Sequence, residues 1–400
     1  MLSYPQALAR IVAALEPLAS ESVPVLAAAG RVLAADLVAP HDMPPFRQAM
    51  MDGYAVRASE TRQATPQHPV RLAIGPTLTA GMAPPRLLPR QAIRIMTGAP
   101  LPAAATAVVR LEEAERDGEQ LVLRQPVPAG QHVQRRGAEV RRGTVLLRAG
   151  ARLTPPRLGL ALALGITTVC VRQQPQVALV APGDELLPPG APWQPGKKWC
   201  SNLYAQELRA CELGCRTVNL GLVPDTLPAL VAQLERGLEA DLLVVLGGSG
   251  GGDRDFTARA FQAIGAQPLC RGVATSPGRS LLVARAQKTL LFALPGSPWA
   301  AYIGFEVFVR PAIRTLLGQH PALPPLRLAT LTAAQQGRRG LTHFRPVRLH
   351  QGTNGWLATP LPSLLALART CPAALGLLVL PPTRTRLPAG ARARILPITD

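Results

Sequence analysis

Of the 24 acidic residues in this 400-residue chain, eight fall in loops between apolar runs: Asp52, Glu112, Glu113, Asp184, Glu185, Asp225, Asp253 and Asp255. Surface solvation explains that placement badly, whereas metal and proton chemistry explain it well. Asp253 and Asp255 close the run Gly247-Gly248-Ser249-Gly250-Gly251-Gly252, which follows the apolar stretch Asp241–Leu246. Glycines let backbone N–H groups approach an anion, and the start of a following helix adds partial positive charge. The run therefore reads as a phosphate cradle, with a plain flexible loop as the alternative. Carboxylates beside bound phosphate suit Mg2+, and Asp255 equally suits an N-cap. Asp225, in Val223-Pro224-Asp225-Thr226, carries the reading of a functional acid and that of an N-cap for residues 227–238. Glu185, in Pro182-Gly183-Asp184-Glu185, is either a functional carboxylate or a favourable acid at a helix start.

Two further residues stand earlier in the chain. Asp52 lies in Met50-Met51-Asp52-Gly53-Tyr54-Ala55-Val56-Arg57, on a glycine turn after Met43-Pro44-Pro45-Phe46. Proline and glycine fix the backbone there, so the carboxylate is placed. Thr97 ends the apolar strand of Arg94-Ile95-Met96-Thr97-Gly98-Ala99-Pro100. Taken singly, both read as turn residues that bond to the backbone.

These groups need elements to hold them. Residues 4–17 have helical apolar spacing, and residues 22–40 read as strand and helix. Short apolar runs broken by Pro and Gly follow (Val70–Ile74, Ala92–Met96, Ala107–Leu111, Gln120–Leu123), which predicts an inserted β-rich domain over 43–139. A short strand, a turn at Pro155-Pro156 and a helix Arg157–Leu164 return the chain to an elongated helical and linker domain made of 1–42 with 140–174. Residues 175–320 alternate strand and helix, which predicts a three-layer α/β/α domain with a mostly parallel sheet. Loops 181–186, 224–225, 247–255 and 294–298 all follow predicted strands and should converge on one crevice. A linker at Pro321–Pro325 precedes a C-terminal β domain over 326–400, a small barrel or sheet.

Composition narrows the function. The net charge is +19, but 40 of the 43 basic residues are Arg, scattered without a run of five. With only four Tyr and four Trp to stack on bases, a specific nucleic-acid binder is disfavoured. Attraction for a small anionic substrate accounts for the excess charge more simply. The six cysteines form no Cys-x-x-Cys pair and read as small core residues in a reducing cytoplasm. The N-terminus lacks signal-peptide character, and the most apolar stretch, 158–171, is too short for a bilayer. A soluble, cytoplasmic protein without membrane association is expected.

The ordered motifs together resemble the molybdopterin molybdenumtransferase family (gephyrin E-domain-like), from about Pro5 to about Pro397. The resemblance implies an elongated four-domain homodimer. Its active cleft would lie between the β domain of one subunit and the α/β and C-terminal domains of the other. It implies Mg2+-dependent insertion of molybdate into adenylylated molybdopterin with release of AMP, giving molybdenum cofactor. By the same carry-over Asp225 and Asp255 hold Mg2+, and Glu185 orients water or metal. Gly247, Gly248 and Ser249 cradle phosphate. Pro277, Gly278, Arg279, Ser297, Arg345 and Ser363 hold molybdate, and Asp52 and Thr97 complete the site. Arg279 is suited to bidentate oxyanion contact. The chain departs from the family pattern at Ser276, where the family has lysine, and at Leu246, Gly250 and Ala300, where it has serine. Ser297 stands for asparagine, Pro182 for threonine and Glu139 for aspartate. Implied partners are a molybdopterin adenylyltransferase and apo-molybdoenzymes. The alternative is a diverged, non-catalytic paralogue that binds molybdopterin or a partner protein.

Overall fold

The protein is described from a computed structural model that covers every residue except 248–255, 363, 372–373 and 399–400, and the side chains of 364 and 365. It forms two compact units: 1–35 with 149–154 and 170–400, and 36–148 with 155–169.

The second unit is built on a six-stranded sheet. Its spatial order is Ala107–Arg110, Gly53–Val56, Gln91–Ile95, Val70–Leu78, Gln120–Leu123 and Glu115–Asp117. The segment Gly53–Val56 is a central strand, not a turn. Its four residues are all buried because apolar layers cover both faces of the sheet. Tyr54, Val56 and Leu72 face one layer, and Ala55, Ile93 and Ile95 the other. Gly53 is required by close approach: a Cβ there would sit 1.9 Å from the Val109 carbonyl oxygen. Residues 22–40 supply short strands and a 3-10 turn at Val25–Ala27 in place of the expected helix.

In the first unit, a six-stranded sheet has the order Arg216–Val223, Gln176–Pro182, Leu242–Leu246, Thr289–Leu294, Leu282–Ala286, Gln267–Arg271. The first four strands are parallel, Leu282–Ala286 runs against them, and Gln267–Arg271 pairs antiparallel with Leu282–Ala286 at the edge. Continuous apolar runs such as Leu242–Leu246 are buried on both faces, as a parallel sheet between helical layers requires. Val177, Leu179 and Val244 pack with helices Tyr4–Ala13, Asn202–Glu212 and Pro298–Gly304. Ala178, Val180 and Val245 pack with helices Leu227–Gly237 and Phe256–Ala263. The three-layer α/β/α expectation is therefore met. Gln267–Arg271, with its proline and polar ends, escaped the strand pattern and forms the antiparallel edge.

The helical stretch that follows Ser297 is interrupted. A π-helical turn, Phe305–Val309, separates Pro298–Gly304 from Arg310–Leu316. Pro311 has no N–H and its ring crowds the preceding turn, so a widened turn is a natural response. That turn carries an ionic knot in the interior. Glu306 and Arg310 are fully buried, with Glu306 Oε2 at 3.2 Å from Arg310 and Oε1 at 2.7 Å from Arg209. The two guanidiniums also donate to the carbonyls of Pro397 and Ile398, which fastens the C-terminal strand to the α/β helices.

The C-terminal region is a closed five-stranded barrel of Thr342–Gly352, Gly355–Pro360, Arg327–Leu331, Arg392–Pro397 and Leu375–Leu380, the last pairing back to the first. Closure leaves no free edges within the ring. A short strand, Thr275–Ser276, leaves the α/β region and pairs in parallel with Thr342–His343 on the barrel.

Candidate functional site

The loops at the carboxyl ends of the parallel strands meet around a crevice of about 240 Å³. Glu185, Asp225, Gly247 and Gly296 each come from a different loop and all line it, so the predicted convergence is observed. Gly247 has φ +126°, and a Cβ there would come within 3.2 Å of the Pro182 carbonyl oxygen. Only glycine lets those two loops pass so closely.

Asp225 is not the N-cap of helix 227–237; that position belongs to Thr226. Instead Asp184 and Asp225 bridge their loops, with Asp225 N–H donating to Asp184 Oδ1 at 3.2 Å and Asp184 N–H to Asp225 Oδ2 at 3.4 Å. Glu185 opens no helix either, because the chain turns directly into the strand pair Leu186–Leu187 and Lys198–Trp199. Its carboxylate lies 3.2 Å from Lys198 Nζ. Asn202, at the start of its helix, donates to the Gly296 carbonyl at 2.7 Å and ties a fifth segment to the crevice. Burial pushes the Cys200 thiol on this wall up, which disfavours the thiolate. Two carboxylates in one crevice form a hard oxygen donor set suited to Mg2+, whose other ligands are phosphate oxygens and water. Among the described residues no cluster of three ligating side chains forms. Gly248, Ser249, Gly250, Asp253 and Asp255 lie outside the described residues.

A second cavity, about 470 Å³, opens where strand Thr275–Ser276 meets the barrel. Its walls bring together Pro277, Gly278, Arg279 and Arg345, with Ser276 beside them. Arg338 and His343 also line it and were not singled out by the sequence reading. Gly278, at φ +101°, lets the backbone pass the Thr275 hydroxyl, which a Cβ would approach to 3.1 Å. Arg345 donates to the Gln336 carbonyl at 3.1 Å. Among the described residues no Asp or Glu lines the cavity. Such a surface attracts a small multivalent anion. Ser297 is elsewhere: it is exposed and precedes helix Pro298–Gly304, between the crevice residues Gly296 and Pro298. Ala300 is buried. Ser363 lies outside the described residues.

In the second unit Asp52 and Thr97 are direct partners. Asp52 Oδ1 accepts from the Thr97 hydroxyl at 2.7 Å and its N–H at 2.8 Å. The antiparallel pairing Gly53↔Ile95 puts the two strand ends side by side. These bonds, the hydroxyl's first, hold the Asp52 carboxyl below its ordinary range, so it is a carboxylate at neutral pH. Glu139 accepts from Gln134 at 2.9 Å.

The fold and the crevice define a multidomain ligand-binding protein with a three-layer α/β core. Residues 2–165 match the family description MoeA N-terminal region (domain I and II), and residues 178–315 match a probable molybdopterin binding domain. The molybdopterin molybdenumtransferase 2 of Mycobacterium tuberculosis is 36% identical over 386 residues, covering 94% of this chain and 95% of that protein. The molybdopterin molybdenumtransferase of Bacillus subtilis is 36% identical over 336 residues, 82% of this chain and 78% of that one. The crystal structure of a molybdopterin biosynthesis MoeA protein from Pyrococcus horikoshii superposes with a TM-score of 0.85 at 29% identity, covering 100% of both chains. The chain belongs to the molybdopterin molybdenumtransferase family.

Proposed function

We propose that this chain is a transferase of molybdenum cofactor biosynthesis that inserts molybdate into adenylylated molybdopterin and releases AMP. The observation that carries the reading is the pairing of two cavities in one unit. One is a crevice lined by Glu185 and Asp225 at the strand ends; the other is a cavity with Arg279 and Arg345 and, among the described residues, no acid. The first suits a phosphoanhydride with its metal, the second a tetrahedral oxyanion.

Asp225 would hold Mg2+, with Asp255 as a second ligand. When bound, the ion would neutralise phosphate charge during cleavage. The backbone N–H groups beginning at Gly247, Gly248 and Ser249 would cradle the phosphate. Glu185 would orient the attacking water. Water oxygen forms the new P–O bond as the anhydride P–O bond breaks, and AMP leaves. Arg279 and Arg345, with Pro277, Gly278, Ser297 and Ser363, would hold molybdate until the dithiolene sulfurs capture it. Asp52 and Thr97 would act as a preorganised carboxylate–hydroxyl pair. Phe46, Met50 and Met51, close to Asp52 in the sequence, are exposed, and exposed apolar side chains of this kind suit the contact of a homodimer. An adenylyltransferase would supply the substrate and apo-molybdoenzymes would take the product. Six free cysteines suit the reducing cytoplasm. No described helix is long and apolar enough to cross a membrane.

The test supplies the purified protein with adenylylated molybdopterin, Mg2+ and molybdate, and follows AMP. Wild type should release AMP, and Asp225→Asn should release little while keeping its unfolding midpoint. Pterin binding without AMP release by wild type would overturn the proposal in favour of a non-catalytic binder.

A further inference from the structure

The oxyanion cavity contains more cationic machinery than the motifs supplied. Arg279, Arg338 and Arg345 all line it, and none forms an ion pair with a described carboxylate. Ser276 puts a neutral hydroxyl on the same wall. Thr275 is fully buried, lines the cavity, and its hydroxyl makes no hydrogen bond among the described residues. A buried hydroxyl left without a partner is costly, and a ligand oxygen would satisfy it.

Arg338 is held in place. Its backbone N–H donates to His343 Nε2 at 2.7 Å. His343 is buried in the strand that pairs with Thr275–Ser276. A Cβ at Gly337 would come within 2.4 Å of Leu380 and 3.0 Å of the His343 ring, so the turn is pressed against the barrel. Further bonds, Gly337 N–H to Thr385 O at 2.8 Å and Gly340 N–H to Pro382 O at 2.9 Å, pin both its ends. Burial, then the charge of Arg345, holds the His343 imidazole below its ordinary range, which keeps Nε2 free to accept.

We infer that Arg338 is a third oxyanion-binding cation, that the Thr275 hydroxyl is a further donor to the same anion, and that His343 positions Arg338. The inference rests on the reading of this cavity as the molybdate site. Arg338 would then supply the positive charge that Ser276 does not.

The experiment measures molybdate and sulfate binding to the full-length protein by calorimetry. Losing one charge-assisted bond should weaken binding about tenfold. Arg338→Gln is therefore expected to bind molybdate about tenfold more weakly, while Arg339→Gln, which removes the same charge from the neighbouring residue, stays within about twofold. His343→Phe should show part of the Arg338→Gln loss, and His343→Gln, which restores an acceptor, should recover it. Ser276→Lys in the Arg338→Gln background should regain affinity. Equal loss in Arg338→Gln and Arg339→Gln would overturn the inference, because nonspecific charge would then explain it. Molybdate binding unchanged by Arg338→Gln would refute Arg338 and leave the proposed function standing. Arg338-dependent binding of sulfate but not molybdate would keep the anion site and refute its assignment to molybdenum. Absence of any oxyanion binding by wild type would refute both.

Discussion

Glu306→Gln should destabilise the first unit sharply although it changes one atom type and no shape. Glu306 and Arg310 are fully buried, and Arg209 is 11% exposed. One carboxylate neutralises two interior guanidiniums through contacts of 2.7, 3.2 and 3.3 Å. Arg209 keeps a second acid, Glu212, at 2.9 Å. Among the described residues, Arg310 would keep the carbonyls of Pro397 and Ile398 and no carboxylate. Stranding a buried charge in this way costs about 3–5 kcal/mol. At a urea slope of about 2 kcal/mol per M the midpoint should fall by about 1.5–2.5 M. The assay is urea unfolding followed by Trp299, which packs against this core, with Trp193, Trp199 and Trp356 changed to Phe. Glu306→Leu with Arg310→Met removes both charges and should recover at least half of the loss, since an apolar pair of similar volume needs no compensation. A Glu306→Gln midpoint within about 0.5 M of wild type, or a double variant no better than the single one, would refute the uncompensated-charge argument.

Three further outcomes are expected. Thr97→Val should raise the Asp52 titration toward the ordinary aspartate value, read by carbon NMR of the carboxyl; an unmoved titration would mean that the Thr97 hydroxyl does not bond it. Because the folded value is depressed, the stability from this contact is complete above the unfolded value and is lost as pH falls through the folded one. His343 behaves alike for a different reason: it is kept neutral, so the stability it supports is complete above about pH 6.5 and falls as pH drops toward its folded value. Barrel unfolding in wild type should show that slope and His343→Gln should not. Gly53→Ala should cost about 2–3 kcal/mol by forcing the central strand from its neighbour, and a normal melting temperature would contradict the close packing.

The α/β core was legible because physics writes it twice, in unbroken apolar strands such as Leu242–Leu246 and in the loops that follow them. The closed barrel was only partly legible, since its strands could be found but closure depends on Leu375–Leu380 pairing back to Thr342–Gly352. Gly53–Val56 was hidden because a glycine beside an acid has the pattern of a turn, although a central strand also tolerates it. The helix from Pro298 could not show its π turn, which answers packing around Glu306 as well as Pro311. Asp225 could be taken for a cap from its position alone; only the structure shows its carboxylate facing Asp184. Arg338 was lost among 40 arginines, because the pairing that sets 275–279 beside 336–345 joins segments about 60 residues apart. Lys197 and Lys198 left a readable signal: two of the chain's three lysines stand together, and Lys198 proves to face the crevice beside Glu185.

The most direct measurement counts AMP and molybdenum in the same closed reaction. Purified protein, adenylylated molybdopterin, Mg2+ and excess molybdate are incubated. Free AMP is then quantified by chromatography, and pterin-bound molybdenum by mass spectrometry and activation of an apo-molybdoenzyme. Insertion coupled to anhydride cleavage predicts one molybdenum captured for each AMP released, with both products absent in Asp225→Asn. AMP released without molybdenum in the pterin would contradict the account, leaving a hydrolase whose arginine-lined cavity serves another anion.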